Sequence, residues 1–89
     1  MVTTEQIEDI KKRLADLNGF LSIEDKKIYV EAKELKTQEP DFWDNPKSAE
    51  NHLKNINKHK VWVVAFDELQ SLVDDFSVLF DFFQEGEVE

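Results

Sequence analysis

The sequence has no cysteine among its 89 residues, which excludes a disulfide framework and thiolate metal ligation, zinc fingers included, and fits a reducing compartment. Glycine and proline occur only twice each. That is too few to punctuate the many turn-linked strands of a small β-fold, whereas Lys, Glu, Asp, Leu and Val are abundant, so an all-α chain is expected. With Gly19 and Gly86 as the only glycines, no Gly-rich phosphate loop can be built. No stretch approaches the roughly 20 apolar residues that span a bilayer, and Met1 to Gln6 lack the basic and apolar regions of a secretory leader. The expectation is a soluble, cytoplasmic single domain without a membrane partner.

Basic residues are missing from a whole third of the chain. Residues 1–60 carry 11 basic and 12 acidic side chains, and residues 61–89 carry 8 acidic and no basic ones, giving a net charge of −9. A DNA duplex would be repelled by that field, since affinity for nucleic acid comes mainly from phosphate neutralisation by Lys and Arg. Contact with RNA phosphate, if made, belongs upstream, where Lys54 and Lys58 are the candidates, with Lys47 nearby. An exposed helix face of mixed charge is the plainer reading of the same residues.

Helical periodicity organises what is present. Thr3 and Gln6 have the spacing of a capping box and open a first helix over about 3–18, with Ile7, Ile10, Leu14 and Leu17 on one stripe. Asn18 and Gly19 are expected to stop it, glycine accepting the left-handed conformation that commonly ends a helix, and Phe20 and Leu21 to fold back onto the stripe. Ser22 is a plausible cap for a second helix over about 22–37, with Glu24 and Asp25 at its positive end and Ile28, Ala32 and Leu35 as its inner face. Pro40 bars easy continuation, so 38–45 forms a loop in which Phe42 and Trp43 are expected to plug the end of the bundle. Asn45 then caps a third helix with Pro46 in its first position, running over about 46–84 before an acidic tail, 85–89.

The third helix dominates the chain. Trp62, Phe66, Leu69, Val73, Phe76, Phe80 and Phe83 alternate in steps of four and three, the signature of coiled-coil-like packing, and Val61, Ala65, Leu72 and Leu79 widen that face. Ala49, Leu53, Ile56 and Val63 form a weaker stripe upstream. The fold expected is an antiparallel three-helix bundle with one long C-terminal helix, whose shorter partners cannot shelter all of its apolar half. A further helix, from a second copy in a homodimer or from sequence beyond the chain, would cover the rest.

Chemistry finds little purchase. His52 and His59 are two helical turns apart, about 10 Å along the axis, too far to ligate one metal ion. The adjacent carboxylates at Glu8 and Asp9, Glu24 and Asp25, Asp67 and Glu68, and Asp74 and Asp75 diverge by about 100° on a helix, so they cannot easily share a proton. No serine has a histidine in a persuasive arrangement. Neither a catalytic residue nor a cofactor is expected.

One ordered run narrows the field. Gly19, Phe20 and Leu21, then Asp25-Lys26-Lys27 and Leu35, then Pro40-Asp41-Phe42-Trp43-Asp44-Asn45-Pro46 and Ala49 resemble the amino-terminal domain of the bacterial peptide chain release factor 2 family. Leu69 to Asp75 and Leu79 fit that family's long helix as well, and the likeness covers about residues 10–89. The resemblance implies an incomplete version of that helical domain. In such factors it lies near the base of the ribosomal stalk, where its position bears on the GTPase release factor. The full factor enters the ribosome, recognises UAA or UGA and promotes peptidyl-tRNA hydrolysis. The family's Ser-Pro-Phe and Gly-Gly-Gln motifs have no counterpart here, so neither step is expected of these residues. By composition and spacing alone, a stand-alone acidic helical adaptor is the alternative.

Overall fold

Three α-helices make up nearly all of the computed structural model, which describes residues 2–88: α1 (Thr4–Leu21), α2 (Ile23–Lys36) and α3 (Pro46–Val88), with a single 3-10 turn, Phe42–Asp44, between the last two. The chain is all-α among these residues. Two helix starts are written in short side chains. Thr3 Oγ1 accepts from the Gln6 amide at 3.2 Å while the Thr3 amide donates to Gln6 Oε1 at 3.0 Å, closing the expected capping box. Asn45 Oδ1 accepts from the Ser48 amide at 3.1 Å and so caps α3, in which Pro46 occupies the first position, where a missing N–H costs nothing.

Pairings fix how the helices run. Lys27 meets Asp67 at 3.1 Å, Lys60 meets Glu34 at 2.7 Å, and the His52 ring reaches the Lys33 carbonyl at 2.8 Å. Rising numbers on α2 thus face falling numbers on α3, so the two are antiparallel. α1 sits on the next stretch of the rod, where Leu14 joins Ile23 and Phe66 in one buried cluster and Ile10 and Leu17 border a shallow groove with Leu69 and Val73. α2 makes the larger contact with α3, and α1 the smaller. At about 1.5 Å per residue, α3 alone accounts for the longest dimension of the molecule, 65 Å.

Most of the core consists of residues two helical turns apart: Ile7 and Leu14 in α1, Ile23 and Val30 in α2, Ala49 and Ile56 in α3, with Phe66 beyond. The inner face of α2 is therefore Ile23 and Val30, flanked by half-buried Lys26, Lys27, Lys33 and Glu34, and not Ile28, Ala32 and Leu35, which are exposed on the opposite side. Long lysine stems cover apolar surface while their ammonium groups stay in water, which lets a face rich in charge pack inward.

The end of α1 also differs from expectation. The helix passes through Gly19 to Leu21, and the left-handed residue is Ser22, at φ 53° and ψ 46°, whose amide donates to the Gly19 carbonyl at 3.1 Å. The Lys26 ammonium donates to the Leu21 carbonyl, so an acceptor freed by the helix end is met by a side chain from the next helix. Ser22 makes no side-chain cap for α2, Phe20 points into solvent, and only Leu21 packs back against the core. At the far end, α3 continues through Val88, so 85–88 is helical rather than a tail; Glu89 lies outside the described residues.

A pair of substitutions checks this junction. Gly19 carries no positive φ, and an added Cβ meets nothing within 4 Å, so Gly19→Ala is expected to stabilise the chain by about 0.5–1 kcal/mol. Ser22→Gly relieves a left-handed conformation that costs an L-residue about 1 kcal/mol or more, and a net gain of roughly 0.5 kcal/mol is expected after glycine's entropy. Urea denaturation reads both; a loss of stability in Gly19→Ala would put the helix stop back at Gly19.

Candidate functional site

On α3, the buried and half-buried side chains are Ala49, His52, Ile56, His59, Val63, Phe66, Gln70, Val73, Ser77 and Phe80, and no others among its described side chains. Their steps alternate between three and four throughout. This is a heptad seam facing the shorter helices, and four of its members are polar. The polar members are accommodated locally: His52 Nε2 lies against the Lys33 carbonyl, His59 Nδ1 is 2.9 Å from the Asn55 carbonyl, and the His59 ring is 4.3 Å from that of Tyr29. No buried side-chain nitrogen or oxygen among the described residues lacks a hydrogen-bond partner.

The stripe expected from sequence is thereby divided in two. Phe66, Val73 and Phe80 belong to the inward seam, whereas Trp62, Leu69, Phe76 and Phe83 are all exposed, Trp62 to 52%. The exposed members join Ala65, Leu72 and Leu79 in a second series, Trp62, Ala65, Leu69, Leu72, Phe76, Leu79 and Phe83, again in steps of three and four. Each but Phe83 lies one residue before a position of the inward seam, so the second face is turned by about 100° from the first. α1 shields only the Leu69 region, through the groove it shares with Ile10 and Leu17. Val61, Val78 and Phe82 extend the exposed apolar surface further round.

This is the most distinctive surface of the molecule. Contiguous exposed apolar area of such length marks an interaction site far more often than scattered leucines do. Its setting is acidic, because Asp67, Glu68, Asp74, Asp75 and Asp81 all lie on the same half of α3, with no basic side chain after Lys60. The shorter helices bring cations to this stretch: Arg13 of α1 lines the groove at Leu69 and Val73, and Lys27 of α2 pairs with Asp67. The Lys27 pKa is raised by the hydrogen bond with Asp67, against a smaller opposing effect of desolvation, with Asp67, Glu24 and Glu31 adding attraction. A raised value means the contribution to stability is full below the ordinary lysine range and is lost as pH climbs through it. Exposed pairs of this kind are worth little in energy.

The remaining candidates fall elsewhere. Lys54 is exposed and paired with Glu50 at 3.0 Å, and Lys58 is exposed one turn further on. In the loop, Phe42 is half-buried between the Trp43 ring, 4.8 Å away edge-on, and the His52 ring at 5.3 Å, but Trp43 is itself largely exposed. Phe42 alone closes that end of the rod, because the short 3-10 turn aims only one of the two rings at α3. Gly19, Phe20 and Leu21 lie at the α1–α2 junction, and Pro40 and Pro46 bracket the turn. Among the described residues, no cluster of His, Asp and Glu is close enough to hold a metal ion, and no helix is long and apolar enough to cross a membrane.

The polar members of the inward seam were hidden from sequence reading. His52, His59, Gln70 and Ser77 carry no apolar signal, and only their strict spacing with Ile56, Val63 and Val73 could have exposed them.

Comparison with known proteins returns one consistent name. The chain is 30% identical to peptide chain release factor 2 of Staphylococcus haemolyticus over 79 residues, which is 89% of this chain and 21% of the relative. The figure for the same factor of Staphylococcus aureus is 32% over the same length and shares. The factor of Chloroflexus aggregans is 26% identical over 84 residues, 93% of this chain and 23% of the relative. The chain thus spans about a fifth of the length of the curated relatives it matches. No family model matches it, and no solved structure matches it significantly.

Proposed function

We propose that the chain serves as the amino-terminal helical domain of a translation termination factor of the release factor 2 type, non-catalytic in itself, which helps dock or orient that factor on the ribosome near the stalk base. The observation that carries this reading is the extent of the likeness: the aligned stretch takes in 89% of the chain, so it concerns the whole rod and not one loop. Codon reading and peptidyl-tRNA hydrolysis then fall to sequence outside these 89 residues, the ribosome and the GTPase release factor are the partners, and the cytoplasm is the setting. Lys54 and Lys58, exposed on α3 away from its acidic half, are the residues proposed to meet ribosomal RNA phosphate.

A chimaera tests it. The chain replaces the matching segment of the Staphylococcus aureus factor, and ribosome pelleting and peptide release are measured on UAA-programmed ribosomes. Retained pelleting and release by the chimaera, with no pelleting by the isolated chain, is the expected result. A folded chimaera that neither pellets nor releases peptide would sink the reading.

The second reading is a stand-alone acidic helical adaptor, favoured by the exposed apolar series on α3. Tight binding of the isolated chain to a protein partner in the absence of ribosomes, together with an inactive chimaera, would support it.

A further inference from the structure

We infer that the outer face of α3 between Trp62 and Phe83 is a docking surface for one basic amphipathic helix, apolar at heptad spacing and flanked by Lys or Arg. The inference stands on the rod itself and holds under either functional reading.

Spacing gives the shape of the occupant. The outer series keeps its steps of three and four over about 32 Å at ~1.5 Å per residue, the length that three heptads of a partner helix would line. Its large members are open to contact, Leu72 at 67% exposure and Phe83 at 65%.

Charge selects the occupant among helices. On the solvent side the series is bordered by Val61, Glu68, Asp75 and Phe82, whose only charges are acidic, and no Lys, Arg or His lies anywhere in 61–89. A second copy of the chain answers this poorly. Pairing the two acidic halves antiparallel sets Glu68 and Asp75 against their own counterparts, and pairing them in parallel lays two stretches that hold carboxylates and no cation side by side, which is unfavourable in either orientation. Sliding the partner copy to offer its basic half fails for another reason. Upstream of Trp62 the same series reads Ser48, Asn51, Asn55 and Lys58, a polar face with nothing to set against leucine and phenylalanine. A helix with apolar residues at two positions of its heptad and cations beside them satisfies both the greasy series and its acidic border.

Synthetic peptides supply the test. Three 21-residue helical peptides are compared: one with Leu and Ile at the a and d positions and Lys at e and g, a twin with Glu at e and g, and a twin with Gln at a and d. Binding to the full chain is followed by titration calorimetry, and by Trp62 fluorescence in a Trp43→Phe background. The Lys-flanked peptide is expected to bind one to one, at least about tenfold more tightly than either twin, and to weaken as salt is added. Leu72→Glu, or Leu79→Glu as a second exposed position, should lower that affinity at least about tenfold while leaving the helical circular dichroism intact; Ile28→Glu, on the outer side of α2, should leave it unchanged. Equal binding of the Glu twin, no binding of the Lys peptide, or insensitivity to both α3 variants overturns the proposal. So does sedimentation showing a tight dimer of the chain that Leu72→Glu dissociates, since a second copy would then be the occupant.

Discussion

Phe66→Ala is expected to cost about 3–5 kcal/mol, the usual loss for a buried phenylalanine. Phe66 is buried where Leu14 of α1 and Ile23 of α2 meet α3, with Leu21 and Val73 packed around it. Among the described residues it is the one buried aromatic, clustered with Leu14 of α1 and Ile23 of α2, so its loss opens a hole at the meeting point of three helices. A domain of this size has roughly 4–13 kcal/mol of total stability by the usual per-residue figure. The substitution therefore removes a large share of the whole, and thermal melting followed at 222 nm should show a broad, low transition. Phe82→Ala is the matched control. Phe82 is 73% exposed, and a change within about 0.5 kcal/mol is expected. Equal losses at the two positions would mean that the inward seam has been drawn on the wrong side of α3.

Val30→Asp and Ile28→Asp should separate just as widely, although the two residues are neighbours on one helix. Val30 is buried against α3 while Ile28 is 66% exposed on the far side of α2. A carboxylate at 30 would have to lose its water in the packed face of α2 or force α2 away, and a loss of about 3 kcal/mol or more is expected. At 28 the same group stays hydrated, and the expected change is below about 1 kcal/mol. Guanidinium titration measures both; a costly Ile28→Asp would reinstate Ile28, Ala32 and Leu35 as the packed face.

These two helices show how much of the architecture could be read from sequence. The starts of α1 and α3 were legible because they depend on local chemistry: a threonine three residues from a glutamine, and an asparagine before a proline. The choice of face was not legible in α2, because Ile28 and Leu35 are seven apart, as are Ile23 and Val30, and either pair could make a stripe. The structure chooses the second pair because Ile23 also reaches the α1 junction, where it is fully buried with Leu14 and Phe66. In α3 the difficulty was of another kind. Phe66, Val73 and Phe80 interleave with Trp62, Leu69, Phe76 and Phe83 so regularly that two faces read as one. The residues that truly complete the inward seam, Gln70 and Ser77 among them, are polar and half-hidden or buried. That the apolar half of α3 exceeds what the shorter helices can cover was legible from length alone, and the exposed outer series is where that excess lies.

The way α1 is attached decides the order in which the molecule comes apart. A lone serine links it to α2, and its anchorage on the rod is slight beside that of its neighbour. Its amides should trade hydrogen for deuterium well ahead of those in α2 and the middle of α3, as a unit that lets go while the remaining hairpin stays closed. A protease given brief access would accordingly cut first near residue 22, leaving a two-helix remnant as the longest-lived fragment.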